Sequence, residues 1–308
     1  MPHWKLILTY DGTPYNGWQV QPNLPTVQGA LAEAIHRITG ETVLPQGSGR
    51  TDTGVHALAQ VATFSLTVPI PEANLHRALN RALPASIRVL SVEAVPEDFH
   101  ARHSALRKTY EYRILPCGHD DRICSPMLAP YVWPCRFSLD FTILQQAASH
   151  IVGTHDFTSF AANDPDQATR NAARPKTVED ESADPTNSPQ PNQTQSSERN
   201  LISTGGGALA AAVENSASLP PRPTNPIDST RTIFHSAWRE QEDLLIYRIT
   251  GNGFLHHMVR NLVGTFVEAA AHRISADTIP TILAARNRSA AGPTAPASGL
   301  FLVEVEYE

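Results

Sequence analysis

From about Asn163 to Asp228 the chain turns to Pro, Ser, Asn, Gln, Thr and Gly, with almost no aromatic or large aliphatic side chains. Such a segment cannot bury enough apolar surface to offset the cost of ordering its backbone, so a disordered or loosely packed insertion is expected there. Ala208 to Val213 could supply one helical turn at most. Whatever core this chain forms must therefore be built from the two flanks. The insertion is net acidic, which leaves the flanks closer to neutral than the whole-chain charge of −6. Its function is not readable from its residues.

The flanks alternate strand and helix patterns. In the first, Leu6 to Tyr10 reads as a strand and Val27 to Ile38 as an amphipathic helix capped by Thr26. Val61 to Val68 alternates as a strand, Asn74 to Leu83 has helical period, and Ile87 to Val95 returns to strand. In the second, Lys108 to Leu115 is a strand and Leu139 to Val152 a helix. Thr232 to Trp238 and Leu244 to Thr250 form a hairpin, Leu255 to Ala271 a long helix, Thr278 to Ala285 a shorter one, and Leu300 to Tyr307 a closing strand. Each half reads as a mixed α+β unit with antiparallel neighbours. At 308 residues, there is room for roughly two domains of ordinary size, here 1–104 and 105–308. No fixed-period repeat is visible.

Several classes of function are disfavoured. No run approaches the roughly 18 apolar residues of a membrane span. Met1-Pro2-His3-Trp4-Lys5 lacks the character of a signal peptide, so a cytoplasmic location is expected. Cys117, Cys124 and Cys135 have neither disulfide-framework nor zinc-ribbon spacing. No Walker loop, dinucleotide fingerprint, His-Glu-x-x-His pair or Gly-x-Ser-x-Gly elbow occurs. The expectation is chemistry by a carboxylate with arginine and tyrosine, without metal or cofactor.

Gly47-Ser48-Gly49-Arg50-Thr51-Asp52-Thr53-Gly54-Val55-His56-Ala57 sets one carboxylate in a loop punctuated by glycines. Asp52 either caps a turn or is displayed for chemistry, and Arg50 nearby favours an ionised carboxylate. In Arg107-Lys108-Thr109-Tyr110-Glu111-Tyr112-Arg113, period two puts both tyrosines on one face. They are core residues or a surface on which a base stacks, and spacing does not say which tyrosine meets a ligand. In Phe254-Leu255-His256-His257-Met258-Val259-Arg260-Asn261, helical spacing puts His256 and Arg260 on one face and turns His257 away, which makes the histidines a poor metal pair. Arg260 calls for an acidic or phosphate partner, structural or functional. Asp98 to Lys108 is the densest basic stretch, either a phosphate-tracking surface or a solvated linker. Tyr10 to Gln21 is an aromatic loop that either grips RNA or packs down.

Taken in order, Gly49 to Ala57, Asp98 to Arg102, Lys108 to Tyr112, Asp156 to Phe160 and Phe254 to Asn261 closely resemble the motifs of the tRNA pseudouridine synthase A family. Tyr10-Asp11-Gly12, Gly17-Trp18-Gln19 and Gly299-Leu300-Phe301-Leu302 extend the resemblance to both termini. It covers nearly the whole chain except the insertion, which departs from the family pattern. The resemblance implies a cofactor-free isomerase that converts uridine to pseudouridine in the tRNA anticodon stem-loop, at about positions 38 to 40. It implies two pseudo-symmetric α+β halves whose antiparallel sheets join into one, helices packed on one side, and an active cleft between the halves. Residue by residue, it maps the catalytic aspartate onto Asp52, the base-stacking tyrosine onto Tyr110, the motif arginine onto Arg50 and the aspartate's partner onto Arg260. A homodimer holding tRNA across both subunits is expected.

Overall fold

Alternating burial along the first strand sets up the core. In β1 (His3–Tyr10), Trp4, Leu6, Leu8 and Tyr10 point inward while His3, Lys5, Ile7 and Thr9 lie nearer the surface. The computed structural model describes residues 1–118, 122–162 and 228–308. The expected insertion, with Ala208 to Val213, thus lies outside the described residues except for Asp228. The flanks, Met1–Asn163 and Asp228–Glu308, form one compact unit.

Helix α1 (Val27–Thr39) starts where the Thr26 hydroxyl accepts the Gly29 N–H, and ends at Gly40, whose φ of 75° supplies the left-handed cap. Its Leu31 and Ile35 are fully buried, each contributing about 1.5–3 kcal/mol. Then follow β2 (Gln46–Gly47), β3 (His56–Ser65), α2 (Glu72–Ala82) and β4 (Ile87–Val95). The second flank begins with β5 (Arg107–Pro116), β6 (Trp133–Cys135), α3 (Phe141–Ser149) and β7 (Gly153–Asp156). It continues with β8 (Thr230–Gln241), β9 (Leu244–Gly251), α4 (Met258–Ala270), α5 (Ile279–Ala285) and β10 (Leu300–Glu306). Asp140 caps α3 by accepting from the N–H groups of Thr142 and Ile143. Tyr247 of β9 and Phe266 of α4 meet edge to face at 5.5 Å, fixing that helix against the sheet.

The strands make one ten-stranded sheet, ordered β4-β1-β3-β10-β5-β9-β8-β7, with β2 added at β3 and β6 at β5. Most neighbours are antiparallel, as expected, but β10 runs parallel to β3 and β6 parallel to β5. This corrects the all-antiparallel expectation. Neither pair is joined by a hairpin, so nothing imposes the antiparallel sense on them. β10 is the seam: Phe301 and Leu302 pair with His56 and Ala57 on one side, and Leu300 and Leu302 with Tyr112 and Tyr110 on the other. It therefore fixes the loop that enters β3 at a set distance from Tyr110.

Candidate active site

The loop ahead of β3 is held from beneath. Trp18 N–H donates to the Thr51 carbonyl at 3.0 Å, and the Tyr10 and Thr51 hydroxyls are 2.8 Å apart. Ser48 hydroxyl donates to the Gln60 side-chain oxygen at 2.7 Å, while Gln60 donates back to the Gly49 carbonyl at 3.0 Å. The aromatic loop after β1 is what packs here: Tyr15 and Trp18 are buried. Gly17, at φ 84°, comes so close that an added Cβ would stand 2.5 Å from the Thr51 carbonyl oxygen. Of the two readings of the Tyr10 to Gln21 loop, packing down holds for Tyr15 and Trp18.

His56, adjacent in sequence, looks elsewhere. Its Nδ1 accepts the Gly12 N–H at 3.1 Å, so the neutral ring donates from Nε2 to the Pro130 carbonyl at 2.9 Å. Burial pushes its pKa below the ordinary histidine value. It pins the loop rather than serving Asp52.

The partners of Asp52 come from the far end of the chain. Arg260 Nη1 donates to Asp52 Oδ2 at 3.0 Å, and its Nε is held by the Ala295 carbonyl at 2.8 Å. His257 Nε2 stands 3.3 Å from Oδ2 and His256 Nε2 3.7 Å from Oδ1. The Asp52 side chain is 19% exposed and that of Arg260 15%, enough shielding to strengthen the pair while leaving the carboxylate reachable.

Here the helical expectation for the histidines fails. The helix starts at Met258, not Leu255, because His257 adopts a left-handed φ of 60° as the residue before it. The two rings then lie 3.9 Å apart between centroids, tilted by 33°, and both face Asp52 instead of diverging. Sequence reasoning missed His257 as a site residue; the neighbouring Gly251-Asn252-Gly253 turn was the only hint of irregular backbone. Burial, ahead of every charge around it, pushes the His257 pKa down, which favours the neutral ring.

The two tyrosines separate cleanly. Tyr112 donates its hydroxyl to the Pro296 carbonyl at 2.7 Å and is fully buried. Tyr110 is 8% exposed and meets Phe254 edge to face at 5.0 Å. Burial, with the charges of Tyr10 and Asp52 nearby, raises its pKa, so the phenol stays protonated. Arg50 lies half-buried in the Asp52 loop, and Arg260 sets a guanidinium on the carboxylate.

Within the basic stretch before β5, Ala101 is buried and its carbonyl accepts the Tyr307 hydroxyl at 2.6 Å, which ties the segment to the end of β10. Lys108 turns inward and donates from Nζ to the Ser48 carbonyl at 2.5 Å. Burial, then Arg102 and Arg231, lower its pKa to about 8. Asp156 closes a turn onto Thr158 and pairs with Arg286 at 2.9 Å. No helix among the described residues is long and apolar enough to cross a membrane.

A part-buried Asp–Arg pair is a sparse signature, but comparison with known proteins is specific. Residues 6–104 and 217–308 match the family model described as tRNA pseudouridine synthase. A protein of Solibacter usitatus called tRNA pseudouridine synthase A is 40% identical over 304 residues, covering 98% of each chain. Proteins of the same name from Moorella thermoacetica and Acetivibrio thermocellus are 37% and 36% identical, over 100% and 98% of both chains respectively. With more than half of its length matched by the family model, and these relatives aligned from end to end, the chain belongs to the tRNA pseudouridine synthase family.

Proposed function

We propose that this protein isomerises uridine to pseudouridine in the tRNA anticodon stem-loop, at about positions 38 to 40, on a base taken out of its stack. The observation that carries the reading is the Asp52–Arg260 pair at 3.0 Å, beside the buried Tyr110 ring. The reaction breaks the N1–C1′ bond, turns the uracil and joins C5 to C1′. C5 loses a proton and N1 gains one, so no reagent is consumed and neither cofactor nor metal is required. Asp52 is the essential group, either adding covalently to the substrate or taking a sugar proton to open a glycal route. Arg260 aims the carboxylate. Tyr110, a phenol over the working pH range, presents its ring to the base and confines it during rotation. Arg50 contacts the RNA from the same loop.

In this reading residues 1–104 and 105–308 are the two pseudo-symmetric halves, helices lie on one side of the sheet, and the tRNA enters a cleft between the halves. The enzyme works in the cytoplasm as a homodimer that holds tRNA across both subunits. The test is incubation of unmodified tRNA with chelator-treated protein, followed by chemical mapping of pseudouridine. Label in the anticodon arm is expected. Label elsewhere, or release of free uracil, would overturn the assignment.

A further inference from the structure

The convergence of His256 and His257 on Asp52 has no role in the isomerisation described above. All three are in the intermediate range of exposure, and one donor atom from each lies within 4.8 Å of the other two. A tetrahedral zinc ion with bonds of about 2.0–2.1 Å to nitrogen and oxygen needs donors roughly 3.3–3.4 Å apart. His256 Nε2 stands 3.7 Å from Oδ1, and His257 Nε2 stands 3.3 Å from Oδ2, the oxygen that Arg260 also holds. To share one ion, the imidazoles rotate so that His257 comes round to the oxygen that His256 faces. The side chains are 19–28% exposed, which leaves the fourth position open to water.

We propose that Asp52, His256 and His257 form a binding site for a borderline-soft divalent cation of the zinc class, and that the ion inhibits the enzyme. Two imidazoles and a carboxylate are the donor set such ions prefer over magnesium or calcium. Arg260 does not compete for the whole carboxylate: it holds Oδ2 and leaves the lone pairs of Oδ1 to the metal, as hydrogen-bonded ligand carboxylates commonly are. Its positive charge keeps the affinity below that of a closed structural site, which makes the ion removable. Inhibition follows because the ion takes the oxygen that the proposed reaction uses. That consequence rests on the role proposed for Asp52; the binding does not.

The experiment uses the full chain stripped with chelator and titrated with Co²⁺, with Zn²⁺ as competitor. A visible d–d absorption of a nitrogen- and oxygen-ligated ion is expected, displaced by Zn²⁺. His256→Ala and His257→Ala should each weaken Zn²⁺ binding by at least about 100-fold, the upper end of what loss of an outer-shell partner costs. Asp52→Asn should do so without removing the histidines, and circular dichroism checks that all three variants fold. No absorption in the parent protein, an absorption unchanged in all three variants, or a sulfur-to-cobalt charge-transfer band placing the ion at the cysteines would each overturn the site. Metal-free protein that makes no pseudouridine defeats the functional reading alone, since the Co²⁺ spectrum is read without tRNA.

Discussion

Glu111 and Asp52 are both carboxylates set among cations, and they are built for opposite ends. Glu111 is 5% exposed in the middle of β5, where Arg239 and Arg248 reach Oε1 at 3.1 and 3.2 Å and Arg113 stands 3.8 Å from Oε2. All its partners come from regular strands, two of them from β8 and β9, so the sheet itself holds the cluster. Asp52 sits in an irregular loop, takes one arginine on Oδ2, and faces two histidines that do not grip it. A carboxylate buried in the sheet among three guanidinium groups is out of a substrate's reach. Asp52 keeps Oδ1 clear of Arg260, and the role proposed for it needs that exposed oxygen.

Exchanging the two carboxylates' fates is the sharpest way to break this contrast. Asp52→Ala is expected to abolish pseudouridine formation while tRNA affinity, read by filter binding, changes little, because one carboxylate adds nothing to phosphate contacts. Measurable turnover in that variant would put the chemistry elsewhere. Next in size is Arg260→Lys, which keeps a charge but loses the guanidinium's two-pronged hold on Asp52 and the Ala295 carbonyl. A fall in kcat of roughly 100-fold is expected from a misaimed carboxylate, and an unchanged kcat would reduce Arg260 to a structural ion pair. Glu111→Gln should do the reverse: a loss of about 1–2 kcal/mol in urea unfolding, discounted because its arginines are 27–45% exposed, with turnover per folded molecule intact. A loss of turnover there, with stability kept, would erase the distinction.

The same contrast explains what could be read from the residues alone. Regular strands with strong alternation were legible to their ends: Ile87 to Val95 stands where the pattern puts it, and Thr26 caps α1. β3 begins at His56, five residues before the expected Val61, because His56-Ala57-Leu58-Ala59-Gln60 mixes small and polar residues across an irregular register with β1. The short strands β2, β6 and β7 carry too few residues to show any period. At the site, Asp52 and Arg260 were each candidates from their own surroundings, but their pairing was legible only through the order of family motifs, since 208 positions separate them. His257 escaped because nothing in an amphipathic pattern marks a histidine at positive φ. The Pro296 carbonyl that claims Tyr112 belongs to an irregular loop, so spacing alone left the two tyrosines equivalent.

Lys108 completes the comparison as the inverse case, a cation turned inward onto a carbonyl with Arg102 and Arg231 as its charged neighbours. Its pKa is lowered from 10.5 to about 8, by burial first and those arginines second. Between these two values the unfolded chain binds more protons at this lysine than the native protein does, so stability rises with pH across that window. Below about pH 8 both states are protonated, and the cost of keeping the charge inside is carried in full. Thermal unfolding followed from pH 8 to pH 10 should therefore show a Tm that climbs relative to Lys108→Met, whose own profile lacks this contribution. Parallel profiles would mean that the ammonium keeps its ordinary affinity for protons despite its place under the Asp52 loop. This is the smallest of the effects, yet it tests whether the ground beneath the Asp52 loop is as poorly solvated as the Ser48 contact indicates.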